Sequence, residues 1–160
     1  RVLKGHIAVA DFKLKKNTTG SIIDNSARKH LKQIGLNYAH GTGHGVGYFL
    51  NVHEGPHAIS KNNSINFQEG MIVSNEPGYY EKDKFGIRIE NLIFVKKRKN
   101  KISFENLTMA PIEKDLILKE SLNKNEKKWI NSYHKNVFKN LIKFMNNIEA
   151  LELQKACSPI

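Results

Sequence analysis

The sequence predicts a mixed α+β fold in which antiparallel strands are flanked by helices. Three observations lead there. An apolar stripe at helical spacing runs from about Ser21 to Ile34. Two apolar segments of strand length, Met71-Ile72-Val73 and Phe85 to Val95, follow with turn-forming residues between them. A second helical stripe occupies the C-terminal quarter.

Taken in order, Val2 to about Phe12 carries apolar residues at Val2, Leu3, Ile7, Ala8 and Ala10 and reads as the end of a helix. Lys13 to Gly20 is a polar loop. The helix from Ser21 to Ile34 places Ile22, Ile23, Ala27, Leu31 and Ile34 on one face, and Gly35 supplies the left-handed residue that often ends a helix. Met71-Ile72-Val73 reads as a strand entering Glu76, whose backbone Pro77 biases toward an extended conformation. Phe85 to Val95 is the next strand, and the loop from Pro77 to Lys84 is short enough to make the two an antiparallel pair. Along this second strand Ile87 and Ile89 share one face while Arg88 and Glu90 share the other, pointing into the same space. Ile102 to Met109 is expected as a third strand. After Pro111 the chain turns polar. Asn123 with Glu126 three residues on is a helix-start signature. Trp129, Ile130, Tyr133, Val137, Phe138, Leu141, Ile142 and Met145 then recur at helical spacing, a stripe that suits core or subunit contact rather than a cofactor box. The expected organisation is a domain over residues 1–113 with a helical extension over 114–160.

Bulk properties narrow the class. At 160 residues and 39% apolar content the chain suits one globular domain with a normal core, or one domain plus an appendage. No apolar run reaches membrane-spanning length, and the N-terminal residues lack the pattern of a signal peptide. A single cysteine, Cys157, excludes an internal disulfide and fits a reducing compartment, so a cytoplasmic address is expected. The chain begins abruptly within a helix, so any targeting segment would lie upstream of Arg1. The formal charge of +11 would by itself suit nucleic acid or an acidic membrane. Its lysines, however, are scattered among asparagines. The one dense cluster, Lys96-Lys97-Arg98-Lys99-Asn100-Lys101, falls between two expected strands and reads as a solvated turn. Neither nucleic acid nor a membrane is expected as a partner.

The chemistry concentrates elsewhere. His40, His44 and His53 lie in one glycine-rich stretch, His40-Gly-Thr-Gly-His44-Gly-Val-Gly followed by Val-His53-Glu-Gly-Pro. Glycine removes side-chain bulk and lets backbone or ligand approach closely, so imidazoles here can converge on a metal or a polar substrate. Ser74-Asn75-Glu76-Pro77-Gly78-Tyr79-Tyr80 and Gly86-Ile87-Arg88-Ile89-Glu90-Asn91 each add one carboxylate to an apolar run. One histidine and two glutamates form a hard-donor set for a divalent ion. Each has a plainer reading: a lone histidine is usually structural, His40 and His53 can hydrogen-bond within a tight loop, and Glu90 can pair with Arg88. No Gly-x-Ser-x-Gly turn, phosphate loop or His-Glu-x-x-His helix is present.

In order and wording, the stretch His40 to Pro56, then Glu76-Pro77-Gly78-Tyr79-Tyr80, then Arg88-Ile89-Glu90-Asn91 resembles the C-terminal half of the Xaa-Pro aminopeptidases (aminopeptidase P). These belong to the pita-bread metallopeptidases, with prolidase as a relative. The resemblance runs from about Val2 to near Tyr133. It implies the second half of a pita-bread domain, a curved antiparallel sheet flanked by helices. It further implies that His44 and Glu76 hold one of two divalent metal ions and that Glu90 bridges both. Manganese is favoured by the oxygen-rich ligation, with zinc, cobalt or iron as alternatives. His40 and His53 would line the substrate site and stabilise charge on the scissile carbonyl. Glu76 would also carry a proton to the leaving nitrogen, and Arg88 would orient a carboxylate or relay protons. The implied reaction is hydrolysis of the bond between an N-terminal residue and a following proline, in a homodimer. The family completes its site with two aspartates. Only Asp11 and Asp24 precede His40 here, and neither sits in the matching motif, so the chain is expected to be the C-terminal portion of a longer enzyme. Prolidase and a non-catalytic binding module of the same fold remain the alternative functions.

Overall fold

Val2, Leu3, His6, Ile7 and Val9 are buried along α1 (Val2–Ala10) in the computed structural model, which describes residues 1–49, 51–99 and 101–160. The chain divides into two units, Arg1–Thr108 and Met109–Ile160. In the first, α1 packs on α2 (Gly20–Lys32), whose Ile23, Ala27 and Leu31 face inward. Helix α2 ends at Lys32, two residues before the expected Ile34, and Gly35 takes the expected left-handed conformation at a φ of +74°. Ile22 and Ile34, read from the sequence as part of the buried stripe, are about half exposed, at 49% and 48%. Ile22 sits one position off the face that Ile23, Ala27 and Leu31 bury, and Ile34 lies past the end of the helix.

Short strands β1 (Gly43–His44) and β2 (Ala58–Ile59) pair with each other. The main sheet is antiparallel in the order β3 (Ile72–Asn75), β6 (Asn91–Arg98), β7 (Lys101–Asn106). A separate hairpin pairs β4 (Gly78–Glu81) with β5 (Phe85–Arg88). The inner faces of these strands meet the helices in one core of Val9, Ile23, Ile59, Phe67, Val73, Ile93 and Val95, whose removal from water is the main driving force for this unit.

Two expectations on the strands are corrected. Phe85 to Val95 is not one strand; it breaks at Ile89 and Glu90 into β5 and β6. The segment Pro77 to Lys84 is not all loop, because Gly78–Glu81 forms β4 and only the following residues turn, with Asp83 at a φ of +59°. Both corrections have one cause. Asn75 pairs with Asn91 in the main sheet and Gly78 pairs with Arg88 in the hairpin, so the two ladders share a single register. Continued through the gap, that register sets Pro77 opposite Ile89 and Glu76 opposite Glu90. Proline has no N–H to give the ladder, and the pairing opens where the two carboxylates face each other.

The basic cluster is also placed differently from expectation. Lys96 to Arg98 end β6 and Lys101 starts β7, with Lys96 and Arg98 both paired to Glu105 across the strands. Two residues separate the strands, Lys99 at a φ of +54° and Asn100, which lies outside the described residues.

In the second unit, α3 (Lys124–Leu141) starts at Asn123, whose side chain accepts the Glu126 N–H while Glu126 reaches back, the reciprocal cap read from the sequence. Ile130, Tyr133 and Val137 are its buried face, and Trp129 stacks on Tyr133 at 5.4 Å between ring centroids. The helix stops at Leu141, before the end of the apolar stripe, and α4 (Asn147–Ala156) follows with the same kind of cap at Asn146 and Glu149.

Candidate metal centre

The three donors come from three separate places that the first unit brings together. His44 sits on β1, which lies against β3 through the Gly45–Val73 bridge, and its N–H donates to the Ser74 hydroxyl at 2.9 Å. This approach depends on glycine. A Cβ on Gly43 would lie 1.9 Å from the Ser74 carbonyl oxygen, and one on Gly45 would lie 2.0 Å from the Glu54 carbonyl oxygen. Glu76 and Glu90 arrive from the opened hairpin. Ligand atoms of His44, Glu76 and Glu90 lie within 4.8 Å of one another, and they form the one such cluster found among the described residues. Asp11 pairs with the exposed Lys13, and Asp24 is buried elsewhere, so neither joins it.

The orientation of each group is set by a neighbour. His44 Nδ1 faces the Gly45 carbonyl oxygen at 3.0 Å and must donate to it, which leaves the Nε2 lone pair directed at the carboxylates. Nε2 lies 3.4 Å from Glu76 Oε1. That same oxygen accepts the Ser74 hydroxyl at 2.8 Å, while Oε2 lies 3.4 Å from the Arg88 guanidinium. Arg88 therefore pairs with Glu76 rather than with the Glu90 that the plainer sequence reading chose. Glu76 is buried and Glu90 exposed, so the cluster opens to solvent on one side.

His40 and His53 stand around this cluster in different ways. The His53 ring lies against that of His44, with centroids 4.0 Å apart. His40 donates from Nδ1 to the Gly41 carbonyl at 2.7 Å, so its Nε2, 3.0 Å from the Tyr80 hydroxyl, accepts. Tyr80 in turn accepts from Arg88 Nε at 2.7 Å. Arg88, Tyr80 and His40 thus form a chain of hydrogen bonds with one consistent direction. The Tyr80 hydroxyl first, and then the charges of Glu76 and Glu90, hold the Arg88 guanidinium above its already high ordinary pKa.

Sequence reasoning missed Tyr80, Ser74 and the anchor beneath the histidine loop. Tyr80 belongs to the Glu76 motif, and the alternation that puts residues 76 and 80 of an extended segment on one face is the signal that points to it. The anchor is Arg28. Its Nε bonds both Asp24 oxygens at 2.9 and 2.8 Å, and its remaining donors reach the carbonyls of Tyr38 and His40, each at 2.7 Å. Thr42 completes the group by donating to Asp24 at 2.6 Å. No pattern in the sequence linked a helix residue to carbonyls ten and twelve positions on.

An imidazole and two carboxylates that meet beside an antiparallel sheet are a donor set that suits a divalent ion. Residues 1–97 match the metallopeptidase family M24 and residues 100–160 match the C-terminal region of that family. The chain belongs to this family. It is 47% identical over 173 residues to a probable Xaa-Pro aminopeptidase P of Laccaria bicolor, a match covering all of this chain and 27% of the relative. With Xaa-Pro aminopeptidase 1 of Dictyostelium discoideum the identity is 49%, over 86% of this chain and 23% of the relative. The chain therefore spans about a quarter of the length of these relatives. Among solved structures, the X-prolyl aminopeptidase of Caenorhabditis elegans, described as a cytosolic enzyme with a di-nuclear active site, is 39% identical with a TM-score of 0.91. That match covers 99% of this chain and 28% of the solved one. The prolidase of Pyrococcus furiosus is 31% identical with a TM-score of 0.58, over 67% of this chain and 30% of that one.

Proposed function

We propose that this chain is the C-terminal part of a metal-dependent Xaa-Pro aminopeptidase, which hydrolyses the bond between an N-terminal residue and a following proline. The observation that carries the metal-dependent reading is the opposition of Glu76 and Glu90. Like charges directly across a hairpin repel, and a cation between them turns that cost into binding. The lone pair of His44 Nε2 joins the two carboxylates, so the donor set fits a divalent ion. The proline preference rests on the likeness to the relatives named above.

In this reading His44, Glu76 and Glu90 would hold the divalent ions, with Glu90 as the ligand the two would share. Oxygen-rich ligation favours manganese, with zinc and cobalt next. When bound, such ions supply Lewis acidity toward a carbonyl oxygen and acidify water. The remaining steps belong to side chains of this chain. Glu76, its two oxygens held apart by Ser74 and Arg88, takes a proton on the water side and returns it to the proline nitrogen as that leaves. That nitrogen carries no proton of its own in the peptide, so the delivered one is required for departure. His53, exposed beside His44, offers a donor to the carbonyl oxygen of the scissile peptide, and His40, both ring nitrogens engaged by Gly41 and Tyr80, lines the site and holds the peptide in place. Arg88 is a positioning residue for Glu76 and, through Tyr80, for His40. We read the enzyme as a homodimer. We also read it as cytoplasmic, which the description of the C. elegans enzyme supports.

The test is digestion of tripeptides with proline second, alongside Xaa-Pro dipeptides, by the manganese-loaded full-length protein that carries this chain. Release of the first residue from the tripeptide, abolished by His44→Ala, is expected. Cleavage confined to dipeptides would make the protein a prolidase, and cleavage of neither would make it a binding module.

A further inference from the structure

We infer that His6, on the helix behind the sheet, is a positioning residue that fixes the spacing of the two carboxylates, an assignment that rests on the metal-site reading above. His6 is fully buried. Its Nδ1 donates to the Ile89 carbonyl at 3.2 Å, and its own backbone carbonyl accepts the Asn75 side-chain amide at 3.0 Å. Asn75 and Ile89 are the residues immediately before Glu76 and Glu90. One residue of α1 thus touches the segments that carry both carboxylates, and it does so where the β ladder fails. Across the gap the Ile89 N–H reaches the Pro77 carbonyl through a long bond of 3.4 Å. The ladder cannot set the distance between Glu76 and Glu90 there, and the helix supplies the missing constraint.

The helix is itself held from behind. A Cβ on Gly5 would lie 2.5 Å from the Ala27 carbonyl oxygen of α2 and 3.7 Å from the Pro77 side chain. Helix α1 is therefore wedged between α2 and the proline that opens the ladder. A donor on a rigid helix is well placed to hold the Ile89 carbonyl, and with it the direction in which Glu90 leaves the strand.

Two substitutions separate positioning from mere core filling. His6→Asn keeps an N–H near the place of Nδ1 and loses volume, whereas His6→Leu keeps apolar bulk and loses the donor. The readouts, in the full-length protein that carries this chain, are manganese affinity by calorimetry and the Glu90 amide resonance in the ion-free form. His6→Asn is expected to bind manganese within about threefold of the parent, and His6→Leu about tenfold more weakly with a displaced Glu90 resonance. Should His6→Leu fail to fold, Asn75→Ala cuts the other tie and is expected to displace the Glu76 resonance with a similar loss of affinity. The opposite order, with His6→Leu like the parent in both readouts and His6→Asn the worse, would overturn the assignment. If the parent binds no manganese, the metal reading fails, while the amide resonances still decide the role of His6.

Discussion

A hydrogen bond on one side of an imidazole decides what the other side can do. Because His44 donates from Nδ1 to the Gly45 carbonyl, Nε2 is left to face Glu76 and Glu90. His40 is fixed by the same logic, with the Tyr80 hydroxyl as its partner. Tyr80 accepts from Arg88 and gives to His40, so Tyr80→Phe breaks both links without opening a cavity. The expected result is a fall in kcat/KM of about 10- to 100-fold in the full-length protein, the value of hydrogen bonds involving charged groups, with manganese affinity within threefold of the parent. Loss of the metal together with activity would show that Tyr80 holds the ligands rather than His40. The residues of the centre were legible in the sequence because their motifs are short and local. Tyr80 was not, since its role depends on which strand face it occupies, and that follows from the ladder register.

At the scale of elements, the centre depends on a strand pair that is interrupted and on a glycine-lined strand that comes close to it. The antiparallel segments are visible in the sequence as apolar runs, and Arg88 and Glu90 do reach the same neighbour, Glu76, whereas Ile89 packs on Val2, Leu31 and Tyr38 and Ile87 is exposed. The interruption was not visible, because it requires knowing that Pro77 falls opposite Ile89. Helix α4 escaped as well. Its Ile148 and Leu151 are exposed, at 76% and 66%, so its apolar residues trace no buried stripe. For β1, Gly45→Ala pushes a methyl group into the Glu54 carbonyl and forces the His44 strand off its neighbours. A loss of about 1–3 kcal/mol in urea unfolding is expected. An unchanged midpoint would mean that the loop after β1 yields easily and does not hold His44.

For the whole molecule, the buried histidines make stability depend on pH. Burial lowers the pKa of His6 from 6.5 to about 4, and it also lowers that of His134, whose Nε2 accepts the Ile112 N–H. Both are neutral in the folded chain, so the unfolded chain binds more protons below its own histidine pKa. Stability from His6 is therefore complete above about pH 6.5 and is lost as the pH falls toward 4, by on the order of 3 kcal/mol. Urea midpoints at pH 7.5 and 4.5 should differ less in His6→Asn than in the parent; an equal difference would contradict the assignment. The high positive charge plays no part in this account, and no helix among the described residues is long and apolar enough to cross a membrane. The central claim is that three donors from β1 and from the two sides of the opened hairpin form one ion site. Its most direct test is calorimetric titration with manganese of the full-length protein that carries this chain, for the parent, His44→Ala and Glu90→Gln. Saturable binding in the parent, weakened at least about tenfold by each substitution, is the result expected. Binding equally strong in all three, or absent from the parent, would contradict it.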